Sequence, residues 1–173
     1  FKSALLTLLL FSTLTAVQAE ILFNPNLHHE FFEQQTDGET VSEAEATYLA
    51  GTLAYKWSAG LFLGASYLNS TDDDDDGLNA YGPTVGIFKK GFMASASYHL
   101  AAELESGSST LEGTGIEVNL GYLAAVTDTF FIGPQIKYFM MSYDEQTNSA
   151  GNTSDIDIET TQYFPFVGLL FMF

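Results

Sequence analysis

The sequence contains no cysteine, which removes structural disulfides, thiolate catalysis and cysteine-ligated zinc or iron–sulfur centres. Bases are nearly as scarce. The 173 residues carry five lysines (Lys2, Lys56, Lys89, Lys90 and Lys137) and no arginine against 22 acids, a formal charge of −17. A chain this acidic repels phosphate backbones, so DNA and RNA are excluded as partners. Beyond the first nineteen residues there is no uninterrupted apolar run of the roughly 20 residues that a transmembrane helix needs. Yet hydrophobic residues make up 46% of the chain and charged residues only 16%. The apolar content is therefore dispersed in a pattern rather than concentrated in a span.

At the amino end, Lys2 precedes an apolar run over 4–14, followed by Val17-Gln18-Ala19. A positive start, a short apolar core and small residues three and one before a cut are the signature of a secretory signal peptide. Cleavage is expected between Ala19 and Glu20, leaving residues 20–173 as one domain.

Over those residues the dominant signal is period two. Ile116, Val118, Leu120, Tyr122 and Ala124 alternate with Gly115, Glu117, Asn119 and Gly121. Phe92, Ala94, Ala96, Tyr98 and Leu100 alternate likewise with Met93, Ser95, Ser97, His99 and Ala101. Successive side chains of a strand point to opposite faces, so each stretch has an apolar and a polar side. Eight such strands are expected, over 21–35, 44–57, 60–69, 78–88, 92–104, 113–125, 130–143 and 157–173. The first has the poorest alternation, broken by Asn24-Pro25-Asn26 and His28-His29. Pro83, Pro134 and Pro165 fall inside expected strands, where each lacks a ladder donor, and are placed at bulges or strand ends.

The connections alternate in length. Residues 57–60, 89–91 and 126–129 read as tight turns; 36–43, 70–77, 105–112 and 144–156 read as longer, polar loops. Seventeen of the 22 acids fall in four groups at those longer loops. Short turns on one side and long loops on the other are the asymmetry of an outer-membrane barrel, as is a strand of about ten residues.

The last residues, Tyr163-Phe164-Pro165-Phe166-Val167-Gly168-Leu169-Leu170-Phe171-Met172-Phe173, place Tyr163, Val167, Leu169, Phe171 and Phe173 on one face and end in an aromatic. With the export signal and the meander, this resembles the terminal strand of small bacterial outer-membrane barrels of the OmpA, OmpX and OmpW type. The resemblance implies an all-β, eight-stranded up-and-down transmembrane barrel in the outer membrane of a Gram-negative cell. It implies that Phe171 and Phe173 are read as the assembly signal by the barrel assembly machinery, with periplasmic chaperones acting earlier. Lipopolysaccharide and the other outer-membrane lipids would be its surroundings. Aromatic girdles are expected at Tyr55, Trp57, Phe62, Phe88, Phe92, Phe130, Phe131, Phe171 and Phe173 on the short-turn side, and at Tyr67, Tyr81, Tyr98, Tyr138, Tyr143 and Tyr163 on the other.

An interior of eight strands is just wide enough for side chains to fill it. The expected lumen network is Glu117, Lys137, Asn119, Gln135, His99 and Ser97, with Ser95 and Thr52. Glu117 and Lys137 have equal parity about the 126–129 turn, so an ion pair between them satisfies two charges that would each be costly alone. It is read as structural, with a gate or proton relay as the functional alternative. His99 beside Ser97 raises a hydrolase, but no nucleophile elbow is present and both face inward, so no enzyme is expected. Asp72, Asp73, Asp74, Asp75 and Asp76 read as a solvated charge run, with a weak Ca²⁺ or Mg²⁺ loop as the alternative; they lack the spacing of an EF-hand. No cofactor and no dedicated metal site are expected. The role implied is that of an envelope or surface-interaction protein. A narrow channel or binder of small hydrophobic molecules is the first alternative, and a lipid A-modifying enzyme the second.

Overall fold

The computed structural model describes residues 19–36, 39–72 and 77–173. The expected export signal, Asp37 and four residues of the aspartate run (Asp73, Asp74, Asp75 and Asp76) lie outside them. The described chain is an antiparallel all-β meander of nine strands: β1 (Glu20–Thr36), β2 (Glu39–Lys56), β3 (Leu61–Asp72), β4 (Gly77–Lys89), β5 (Phe92–Ser106), β6 (Ser109–Tyr122), β7 (Ala124–Ala125), β8 (Phe130–Asn148) and β9 (Thr153–Met172). Strands adjacent in sequence pair, except β6 with β7, which both pair with β8; β1 pairs with β9, so the sheet closes on itself. The first strand and the last residue meet: Ile21 N–H donates to Phe173 O at 2.9 Å, and Phe173 N–H to Ile21 O at 3.0 Å.

The count is nine rather than eight because the sixth expected strand is cut at Leu123. β6 ends its pairing with β8 at Gly121↔Gln135, and β7 resumes at Ala124↔Ile132. Pro134, which has no amide hydrogen to give, falls between those two pairs. β6 and β7 thus occupy one place in the ring.

Alternation decides which face is which. In β4, Leu78, Ala80, Gly82 and Thr84 are buried while Asn79, Tyr81, Pro83 and Val85 are exposed. In β5 the buried series Met93, Ser95, Ser97, His99 continues at Ala102. Between His99 and Ala102 β5 carries one residue more than either neighbour, a bulge that resets its inward parity. Pro83 faces this bulge, as expected. Pro165 does not sit at a bulge: it pairs in unbroken register with Ile136 inside β9.

The expected long loops are largely strand. β5 and β6 are joined across Gly107 and Ser108 rather than by 105–112, β8 and β9 across 149–152, and β1 and β2 reach to Thr36 and Glu39. Apart from Leu111 and Ile156 these segments are almost wholly polar, so they carry no period-two hydrophobic signal although the ladder continues through them. β8 and β9 consequently run to 19 and 20 residues, about twice the roughly 9–11 that cross a bilayer.

The short turns behave as read. Lys90 and Gly91 both have positive φ (53° and 86°), the left-handed pair of a type I′ hairpin whose twist matches the strands it joins. At 126–129, Thr127 Oγ1 accepts from Phe130 N–H at 3.0 Å and from Thr129 N–H at 3.3 Å.

Candidate functional site: the filled interior

The interior is stratified. Near the short turns, Leu22, Ala54, Phe62, Phe88, Met93, Leu123 and Leu170 pack into one apolar cluster. Toward the hairpin ends, Tyr48, Leu68, Leu78, Phe139, Met141, Tyr143 and Phe164 form part of a second. Between them lies a polar belt of Asn24, Asn26, Thr52, Ser66, Thr84, Ser95, Ser97, His99, Glu117, Asn119, Gln135 and Lys137, all buried.

Strand register places the charged members. Asn119 pairs with Lys137 and Glu117 with Phe139, so Glu117 and Lys137 sit diagonally on the inner face, two residues apart. Lys137 Nζ lies 3.1 Å from Glu117 Oε1. His99 Nε2 stands 3.6 Å from Glu117 Oε2, an ion-pair separation too long for a hydrogen bond. One carboxylate is thus flanked by an ammonium and an imidazole, with side-chain exposures of 4%, 2% and 0% respectively. Buried charges persist only when paired in this way.

The amides and hydroxyls pair around the same level. Asn119 Nδ2 donates to Gln135 Oε1 at 2.8 Å. Ser97 Oγ donates to Thr84 Oγ1 at 2.9 Å, and Thr84 Oγ1 to Ala96 O at 3.3 Å. The Gln135 side chain lies over Gly168, whose missing Cβ leaves the space it occupies: a Cβ there would stand 1.5 Å from Gln135 Nε2. Asn24 Nδ2 reaches across the β1–β9 seam to Leu169 O at 2.5 Å.

Every residue expected in the lumen network is therefore inside, and Glu117, Lys137 and His99 are brought together. Ser97 and His99 are not: the serine bonds to Thr84, the histidine faces Glu117, and the geometry offers no nucleophile–base pair. Among the described residues no group of three or more His, Asp or Glu is placed to hold a metal. The sequence reading missed Asn24, Asn26, Ser66 and Thr84. The two asparagines were obscured by Pro25 between them; Thr84 adjoins Pro83, which hid its strand parity.

The outer face is apolar. Leu53, Leu63, Val85, Leu120 and Ile136 are between 45% and 58% exposed. Tyr67 pairs with Tyr81 and Tyr138 with Tyr163 on that face. Four expected girdle members point the other way: Phe62, Phe88 and Tyr143 are 1–3% exposed and belong to the inner clusters, and Phe131 packs against the one near the short turns. Their parity puts them inside, and the rings fill the space at either end of the belt.

Near the hairpin ends a row of carboxylates crosses four strands. Glu103 pairs with Glu112, Glu112 with Glu145, and Glu145 with Asp155. Directly opposed side chains share a face, and like charges there are destabilising.

A closed antiparallel wall with a polar belt sealed inside and apolar groups outside defines the class: an all-β antiparallel meander of inverted polarity. No family model matches the sequence, and no curated protein does. Among solved structures the chain is similar to outer-membrane β-barrel proteins. One is the outer membrane protein AlkL in DMPC lipid bilayers, at a TM-score of 0.44 and 8% identity, covering 90% of this chain and 89% of that one. Another is the outer-membrane expressed OmpT of Vibrio cholerae, at 0.33 and 15%, covering 88% of this chain and 52% of that one.

Proposed function

We propose that this chain is an integral protein of a Gram-negative outer membrane, an eight-stave transmembrane barrel exported by a cleaved signal peptide, with a non-enzymatic role at the cell surface. The observation that carries this reading is the inverted polarity of a closed ring. Soluble monomers seldom expose apolar patches beyond roughly 300–600 Å², whereas here apolar side chains face outward from most staves while Glu117, Lys137 and His99 are sealed within. In hydrocarbon only helices and closed barrels satisfy every backbone group, and no described helix is long and apolar enough to cross.

Fractionation with the outer membrane and heat-modifiable migration on a denaturing gel test the reading. Free solubility of the mature chain as a monomer without detergent would overturn it.

The filled interior favours a plug over a channel. Two apolar clusters cap the polar belt, so planar-bilayer recordings should show essentially no conductance; steady single-channel currents would favour the narrow-channel alternative. His99 and Ser97, the residues that raise a lipid A-modifying activity, face the interior, and lipid A from cells with and without the protein should have the same acyl pattern by mass spectrometry. The opposed carboxylates Glu103, Glu112, Glu145 and Asp155 support a surface role in which hairpins share divalent cations with lipopolysaccharide phosphates. Neutralising them should lessen the divalent-cation dependence of membrane integrity; an unchanged dependence removes that role.

A further inference from the structure

The short-turn mouth has a character unlike the rest of the surface. Of the four lysines after residue 19, Lys56, Lys89 and Lys90 are at this end and Lys137 is in the lumen pair. The acids at this end are Glu20, which binds Lys56 at 2.6 Å, and Asp128 on the 126–129 turn. Glu103, Glu112, Glu145 and Asp155 lie at the opposite, hairpin end.

At this mouth is a cleft of about 410 Å³ that touches two of the short connections, through Ser58 and Gly60 and through Lys89, Lys90 and Gly91, and the β6–β7 stretch from Tyr122 to Ala125. Its accessible apolar wall is Phe131 and Met172, half-buried and packed against the interior cluster near the short turns, whose Phe88 and Leu123 are buried. No acid lines it. The volume falls within the roughly 300–1,000 Å³ of small-molecule sites, which pair an apolar body with a few polar groups.

We propose that this cleft binds a soluble anionic amphiphile, a single alkyl chain ending in a phosphate or carboxylate, with the head on Lys89 and Lys90 and the chain against Phe131 and Met172. Charge complementarity selects the head. Ionic screening confines interactions to about 8 Å at physiological salt, so an anion at this mouth meets the lysines and is shielded from the acidic hairpins at the far end of the strands. An aqueous source is favoured over a bilayer lipid because the apolar wall consists of inward-facing residues and the turns frame the opening. The site needs this mouth alone and so goes beyond the membrane reading.

Trp57, the single tryptophan, stands between Lys56 and Ser58, both of which line the cleft, and its emission reports occupancy. The full chain would be titrated with octyl phosphate below its micellar concentration, in neutral phosphatidylcholine bilayers or in plain buffer if it is soluble. A saturable Trp57 response is expected with octyl phosphate and none with inorganic phosphate or octyl glucoside. K89Q/K90N should weaken binding about tenfold or more, since two charge-assisted contacts are lost. Asparagine tolerates the left-handed backbone at position 90, and K89Q alone leaves the turn residues unaltered, so a folded variant is secured. An equal response to octyl glucoside, unchanged affinity in both variants, or a response that follows phosphatidylglycerol in the bilayer instead of octyl phosphate would overturn the proposal.

Discussion

Lys137→Met removes one charge from the belt while keeping the length of the side chain. Glu117 then retains His99 at 3.6 Å and loses the ammonium at 3.1 Å. Removing one partner of a buried ion pair costs about 3–5 kcal/mol, because the other charge stays desolvated and uncompensated. That is a change of at least a hundredfold in the folding equilibrium, at about 1.4 kcal/mol per factor of ten. E117L should cost a similar amount for the mirror-image reason. E117L/K137M, however, leaves neither charge behind, and replacing a buried pair by apolar groups of similar volume is often neutral or stabilising. The double variant should therefore lose at least about 3 kcal/mol less than the two single losses added together. Reversible urea unfolding from lipid vesicles, followed by Trp57 emission, supplies all four midpoints. Additive single losses, or a K137M variant within about 1 kcal/mol of the parent, would refute the pairing as the reason these residues are inside.

Gly168→Ala should destabilise by about 1–3 kcal/mol, the usual cost of overpacking, because its Cβ collides with Gln135 and breaks the Asn119 contact; the same unfolding assay reads it, and a silent variant would contradict the close approach. Val85→Arg on the outer face should cost about 2–4 kcal/mol if that face meets hydrocarbon near the bilayer midplane; improved detergent-free solubility with no loss would favour water as its solvent. Phe173→Ala should lower the amount assembled in the outer membrane of cells while leaving refolding into vesicles nearly unchanged, which separates an assembly signal from a packing role. Raising salt should slow amide exchange around Glu103, Glu112, Glu145 and Asp155 by screening their mutual repulsion; salt-independent exchange would mean that the carboxylates are already compensated.

Legibility in the sequence followed the hydrophobic contrast between the two faces. Where one face is apolar and the other polar, as in Ile116 to Tyr122 against Glu117 and Asn119, period two fixed both the strand and its orientation. The diagonal Glu117–Lys137 pair followed from parity about a short turn. Where both faces are polar the contrast vanishes, so the hairpin ends read as loops although backbone pairing continues to Ser106, Asn148 and Thr153. Parity also fails across an insertion: Ala101 was assigned to the side of His99, and the bulge hands that place to Ala102. Girdle rings were misplaced for a related reason, since an aromatic at the right height can face either way, and Phe62, Phe88 and Tyr143 are needed to fill the interior.

Two of the four prolines fall at irregularities of the wall, and the other two are in regular register on the strands that flank its β1–β9 seam. Pro83 faces the extra residue of β5, and Pro134 lies at the cut between β6 and β7. Pro25 and Pro165 belong to β1 and β9, whose ladder comprises Leu22↔Met172 and Phe23↔Phe171 and does not extend to either proline. A proline cannot donate to a neighbouring strand, so its cost is smallest where a partner is already displaced. Side chains take over at the seam: Asn24 bridges to Leu169 O, and further along Tyr48 Oη donates to Gln162 Oε1 at 2.8 Å, joining β2 to β9 through the interior. The Asn-Pro-Asn segment that made the first strand hardest to read is thus the local solution to closing the ring. Its asparagines turn inward, and Asn24 supplies from a side chain the donor that a regular ladder would supply from the backbone.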